Sequence, residues 1–157
     1  MMVYKYNDLL KQLDWNLPES IQTEAIDKIL HLEDFDPKLL IQPLDLHHWQ
    51  NAAKILNAMG FNKVKHLTNE LLYWVQDVNL PGAFIVLDLL KTFPNEYLLP
   101  YLENVIEKAI QTRDDPWLDY LSIFTYIGKI SKEEFTNKAF FDILKSHEDQ
   151  WDVDDNN

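Results

Sequence analysis

Five histidines, His31, His47, His48, His66 and His147, are the side chains best suited to move protons or hold a metal at neutral pH. Their spacing supports neither. No His-x-x-x-His pair and no His-Glu-x-x-His zinc helix occurs. His47 and His48 are adjacent, so on a helix their side chains diverge by about 100°; the five read as solvated loop histidines. Paired carboxylates could do acid–base work. Among 26 acidic residues, however, pairs at helical spacing such as Glu103/Glu107 arise by chance, and that pair falls on an outer face. Ser20, Ser122, Ser131 and Ser146 lack the strand-turn-helix context of an activated nucleophile. The run Glu33-Asp34-Phe35-Asp36 has neither the mid-loop glycine nor the twelfth-position glutamate of a calcium loop. With no cysteine, thiolate metal sites, disulfides and a thiol nucleophile are excluded. Three glycines leave no room for a phosphate-cradling loop. The sequence therefore predicts no catalytic set, no metal site and no cofactor, and a protein that is not an enzyme.

What must position any site is a chain of 157 residues, about one domain. At 46% hydrophobic and 13% aromatic it can bury a sizeable core. The net charge of −12 argues against general nucleic-acid binding, which needs clustered Lys and Arg. No apolar run approaches the ~18 residues of a membrane span, and the start, Met1 to Asp8, lacks a signal-peptide core. A cytoplasmic protein is expected. Lysine outnumbers arginine 13 to 1, a composition that fits an AT-rich bacterial source.

Periodicity predicts helices throughout. The first covers residues 3–13, with Tyr6, Leu9, Leu10 and Leu13 on one face. The second, 18–32, buries Ile21, Ala25, Ile29 and Leu32. Residues 33–46 read as a loop with one short helical turn. Further helices are expected over 48–59, 62–76, 81–92, 95–112, 116–127 and 132–145. Pro18, Pro37, Pro81 and Pro116 are expected in first turns, where a missing N–H costs nothing. Pro100 is expected to bend or split 95–112. Ser131 and Glu134 have capping-box spacing for the last helix. Residues 1–46, 47–113 and 114–157 carry net charges of −5, 0 and −7. The division expected is one helical domain, 1–147, and an acidic tail, 148–157, in which Trp151 either docks on the body or anchors a partner.

Three helix pairs recur at a period near 34 residues, headed by Trp49, Pro81 and Trp117. The segments 81–92 and 116–127 are apolar almost all round and must be covered on several sides. Stacked neighbours would do this, as in an α-solenoid. The spacing and the prolines at helix starts resemble HEAT-type repeats over roughly 47–145. The fold expected is all-α, a HEAT/armadillo-like α-α superhelix of stacked antiparallel helix pairs; a generic helical bundle would share the periodicity.

The string Glu70-Leu71-Leu72-Tyr73-Trp74-Val75-Gln76-Asp77-Val78-Asn79-Leu80-Pro81-Gly82-Ala83 resembles the mark of an uncharacterised bacterial family of small HEAT-like helical proteins, Trp-x-x-Asp-x-Asn-x-Pro-x-Ala. Leu80 stands where that family usually has tryptophan. Asp114-Asp115-Pro116-Trp117-Leu118 resembles the family's Asp-x-x-Trp segment. The resemblance implies an α-α superhelix and no established activity. Read from the residues alone, the string has a structural role: Asp77 and Asn79 accept from free N–H groups, Trp74 packs beneath the turn and Gly82 admits a neighbouring helix. The functional alternative makes Trp74, Asp77, Asn79, Asp115 and Trp117 a partner-binding edge. The function expected is non-catalytic binding of another protein, in one version an immunity-type protein masking a basic partner, with no nucleic acid and no membrane involved. The alternatives are a HEAT-like DNA-base-processing enzyme and a structural homo-oligomer.

Overall fold

The structure is a computed structural model that describes the backbone of residues 5–156 and the side chains of 5–152. Among the described residues every regular element is helical and no strand occurs. In chain order these are α1 (Asn7–Lys11), α2 (Glu19–Leu30), a 3-10 turn (Pro37–Leu40), α3 (Leu46–Met59), α4 (Phe61–Val64), a 3-10 turn (Lys65–Leu67) and α5 (Thr68–Trp74). There follow α6 (Ala83–Leu90), α7 (Asn95–Gln111), α8 (Asp115–Leu121), α9 (Ile123–Tyr126), a 3-10 turn (Lys132–Glu134), α10 (Lys138–Ser146) and a 3-10 segment (Glu148–Asn156). The expectation of an all-α chain holds. Residues 3 and 4 of the first expected helix lie outside the described residues.

Local chemistry sets most boundaries. Asp45 caps α3 by accepting from His47 N at 3.0 Å, and Gly60, at φ +81°, ends it. Pro37 and Pro116 sit in first turns as expected. Pro18 is instead the residue preceding α2. Pro81 lies further out, in a type II turn closed by Ala83 N donating to Leu80 O at 3.2 Å, with Gly82 at φ 84°, ψ −13°.

Three expected helices are corrected. Segment 62–76 breaks at Lys65–Leu67, where the Thr68 hydroxyl bonds the Lys65 carbonyl. Segment 116–127 breaks at Ser122, whose hydroxyl donates to Asp119 O at 2.6 Å. Such back-bonds compete with the helical ladder. The Ser131/Glu134 box forms but closes only a 3-10 turn. Phe135 turns extended (ψ 137°) to bury its ring, and Asn137 begins α10 afresh by accepting from Ala139 N at 3.1 Å. Pro100 does not split α7; it removes a single ladder bond near the exposed start of a long helix.

One contiguous core runs from Tyr6 to Leu144. Its centre is α6, which buries Ala83, Val86, Leu87, Leu89 and Leu90 and turns Phe84 and Asp88 outward. Between the first two expected pairs, corresponding helices lie side by side, α3 against α6 and α5 against α7. Polar links repeat the offset: Gly82 N to Gln50 Oε1 (2.8 Å), Tyr97 OH to Lys65 O (2.8 Å), Asn95 Nδ2 to Lys129 O (2.7 Å) and Asn137 N to Glu103 Oε1 (2.8 Å). Each spans 32 or 34 residues of sequence.

Residues 148–151 are anchored on the helical body. Glu148 is buried, accepting from Thr125 Oγ1 at 2.8 Å and pairing with Lys145 Nζ at 2.9 Å. Trp151 Nε1 donates to Ser122 Oγ at 2.8 Å, so the docked alternative for Trp151 is the one observed.

Candidate functional site

The loop between α5 and α6 organises the site. Asp77 Oδ1 accepts from Asn79 N at 2.9 Å, forming an Asx turn, and Leu80 N bonds Asp77 O at 3.1 Å. Trp74 lies under this loop, 1% exposed, its indole N–H donating to Pro81 O at 3.1 Å. Its ring meets Trp49 edge-on at 6.3 Å. On the facing side, α7 ends in a Schellman motif: Asp114 N bonds Ala109 O (2.8 Å) and Arg113 N bonds Ile110 O (3.2 Å). Arg113 holds the left-handed position, φ 55°. Asp114 then caps α8 by accepting from Trp117 N at 3.2 Å. Gln76 Nε2 donates to Asp114 Oδ2 at 2.8 Å and ties the two loops together.

Between them opens a cleft of about 650 Å³. Asp77, Asn79 and Leu80 form one wall; Asp114, Pro116 and Tyr120 form the other; Gln42, Tyr73 and Gln76 complete it. Tyr73 is 42% exposed and packs behind itself on Trp117 at 5.0 Å. The lining contains two carboxylates and no lysine or arginine. Burial, and then the charges of Asp77, Asp119 and Asp114, hold the Tyr120 hydroxyl above its ordinary pKa. An adjoining cleft of about 320 Å³ shares Tyr73, Gln76, Asp114 and Pro116 but carries Lys108 and Arg113, so the acidic character ends at that wall.

Of the five residues expected at a partner-binding edge, the cleft takes Asp77 and Asn79. Asp115 is exposed beside it, at the start of α8. Trp74 and Trp117 are not at the surface. Trp117 is 1% exposed, with its indole N–H donating to Leu72 O at 3.2 Å, so both tryptophans build the walls from behind and offer a partner nothing to touch. Sequence reasoning missed Gln42, Tyr73, Gln76, Asp114 and Tyr120. The cap position of Asp114 before Pro116-Trp117 was the one readable signal among them.

The other chemical candidates are structural. His48 is not a solvated loop residue: it lies in the first turn of α3, 6% exposed, with Nδ1 2.9 Å from Asp45 Oδ1. Asp119, His147 and Ser122 come together without forming a catalytic triad. His147 Nδ1 lies 2.7 Å from Asp119 Oδ1, but the fully buried Ser122 hydroxyl bonds the carbonyls of Asp119 and His147, not the imidazole. Glu103 is half-buried and receives Asn137 N, so it is more than part of an outer face. Among the described residues no group of three or more His, Asp or Glu side chains is placed to hold a metal ion, and no helix is long and apolar enough to cross a membrane.

The described residues thus form an all-helical fold with a surface cleft beside the α5–α6 loop. Residues 47–156 match the model of a family described as a domain of unknown function, DUF5071, and the chain belongs to that family. No curated protein and no solved structure matches it. The matched stretch starts at α3 and holds every cleft residue except Gln42.

Proposed function

We propose that this chain is a HEAT-like α-α superhelix that works as a non-catalytic protein-binding module for a basic partner. The superhelical reading is supported by the side-by-side packing of α3 with α6 and of α5 with α7, with polar links between residues 32 or 34 apart in sequence. The binding reading rests on one observation: the 650 Å³ cleft is lined by carboxylates, carboxamides and tyrosines, with no cationic side chain. Together with a net charge of −12, this favours fast encounter with a positively charged protein. The most concrete version is an immunity-type role in a bacterial cytoplasm, masking a basic toxin such as a nuclease.

The test is affinity capture from the source organism, followed by reconstitution with the purified partner. A basic protein that forms a stoichiometric complex, weakened by added salt, is the expected result. A partner that is not basic, or a complex indifferent to salt, would overturn the reading. A DNA-base-processing enzyme is disfavoured by the same cleft, since phosphates need cations opposite them. A homo-oligomeric role draws on a different observation, the exposed Trp15, Leu44 and Leu46 near the start of α3. Light scattering at two concentrations separates it from a monomeric binder.

A further inference from the structure

We infer that the cleft between the α5–α6 loop and the start of α8 receives an arginine side chain of the basic partner. This inference rests on the reading above and makes it specific. A guanidinium is a planar cation with five N–H donors and no acceptor, and it stacks on aromatic rings. The cleft offers the complement. Tyr73 exposes part of its ring, while Tyr120 faces the same space. Asp77 and Asp114 stand on opposite walls, and each has a carboxylate that already accepts backbone N–H bonds and is held in place by them. The Asn79 carboxamide is exposed at the rim and makes no hydrogen bond among the described residues, so its oxygen can accept. A volume of about 650 Å³ exceeds what one side chain fills and leaves room for the peptide that carries it. A lysine would satisfy the charge but neither stack on the rings nor span both walls with paired donors.

The test is a titration of the full chain, at low salt and followed by two-dimensional NMR, with acetyl-Gly-Gly-Arg-Gly-Gly-amide and its lysine and citrulline counterparts. The arginine peptide is expected to move the amides of Tyr73, Asn79, Leu80 and Tyr120 and to bind about fivefold tighter than the lysine peptide. Citrulline, which lacks the charge, is expected not to bind. Asp77→Asn keeps the Asx turn and removes one charge, and should weaken arginine binding about three- to tenfold. Tyr73→Leu should abolish the preference for arginine over lysine. Shifts scattered over the surface, equal affinity for the two cations, or an Asp77→Asn variant that binds as the parent does would each overturn the inference. Those outcomes leave the broader reading intact, since a basic protein could still dock elsewhere. Failure to capture a basic protein would count against that reading without changing the peptide titration.

Discussion

Gly82 sits against Trp49: a Cβ on Gly82 would lie 2.7 Å from the Trp49 carbonyl oxygen and 2.8 Å from Ala53 Cβ. The contact joins the start of α6 to α3 at the seam between successive helix pairs. It also fixes the loop that carries Asp77 and Asn79, because Trp74 holds the adjoining Pro81 carbonyl.

Gly82→Ala is therefore expected to cost about 2–4 kcal/mol, the sum of a left-handed backbone penalty and a clash with main chain that cannot move aside. Gly128→Ala shares the positive φ but has nothing within 4 Å, and should cost only about 1–2 kcal/mol, while Gly60→Ala, equally unobstructed but at φ 81° and ψ 175° in a region that glycine alone populates, should cost about 1–3 kcal/mol. Urea midpoints of the three variants check this ordering. Equal losses would show that the close approach at Gly82 contributes nothing.

Arg113 occupies a position that glycine prefers, φ 55° at the end of α7. Arg113→Gly should stabilise the fold by about 1 kcal/mol, since the Schellman bonds are made by the backbone. A thermal melt reads it. A lowered Tm would mean that the arginine side chain contributes more than its backbone strain costs.

Glu134 gives a signed pH dependence. The Ser131 N–H bond, at 2.7 Å, and the Asn95 carboxamide hold its carboxyl below the ordinary glutamate range. The folded state thus favours the charged form. Its contribution is complete above the ordinary glutamate range and is lost as pH falls through the lowered folded value. Melting curves of the parent and Glu134→Gln should be separated at neutral pH and converge in acid. A gap that stays constant with pH would remove the assignment.

Trp151, itself partly buried, ties the C-terminal segment to α8 and α9 through the hydroxyl of the fully buried Ser122. Trp151→Ala should cost about 1–3 kcal/mol, from lost packing and from a hydroxyl that loses its donor. Hydrogen exchange should then rise in residues 147–152 and at Ser122. Unchanged exchange there would show that the segment is held by other contacts.

Much of the architecture was legible because its signals are local. The long amphipathic segments α2, α3 and α7 follow from apolar spacing, and Gly60, Pro37, Pro116 and Asp114 punctuate them by φ or by capping. The breaks at Thr68 and Ser122 were not legible. They depend on hydroxyls that turn back onto the chain, and whether a hydroxyl does so depends on what packs around it. The restart at Asn137 follows from burial of Phe135, a tertiary demand. The site was half legible. Asp77 and Asn79 announced a turn, with Tyr73 and Gln76 close by in the same segment, but Asp114 and Tyr120 join them only after about 40 residues of chain fold back, and Gln42 comes from a segment that reads as loop. Charge misled in the same way: residues 47–113 are neutral in sum, yet the cleft is acidic because Lys108 and Arg113 face the adjoining cleft. The tryptophans looked like contact residues because aromatics serve both seams and interfaces; burial assigns Trp74 and Trp117 to the seams.

Hydrogen exchange on the reconstituted complex with the captured basic protein reads the docking surface itself. Partner binding should slow exchange in residues 73–80 and 114–120, with no change in α10. Protection confined to the Trp15, Leu44 and Leu46 face, or to the outer side of α7 and α10, would contradict docking at the cleft.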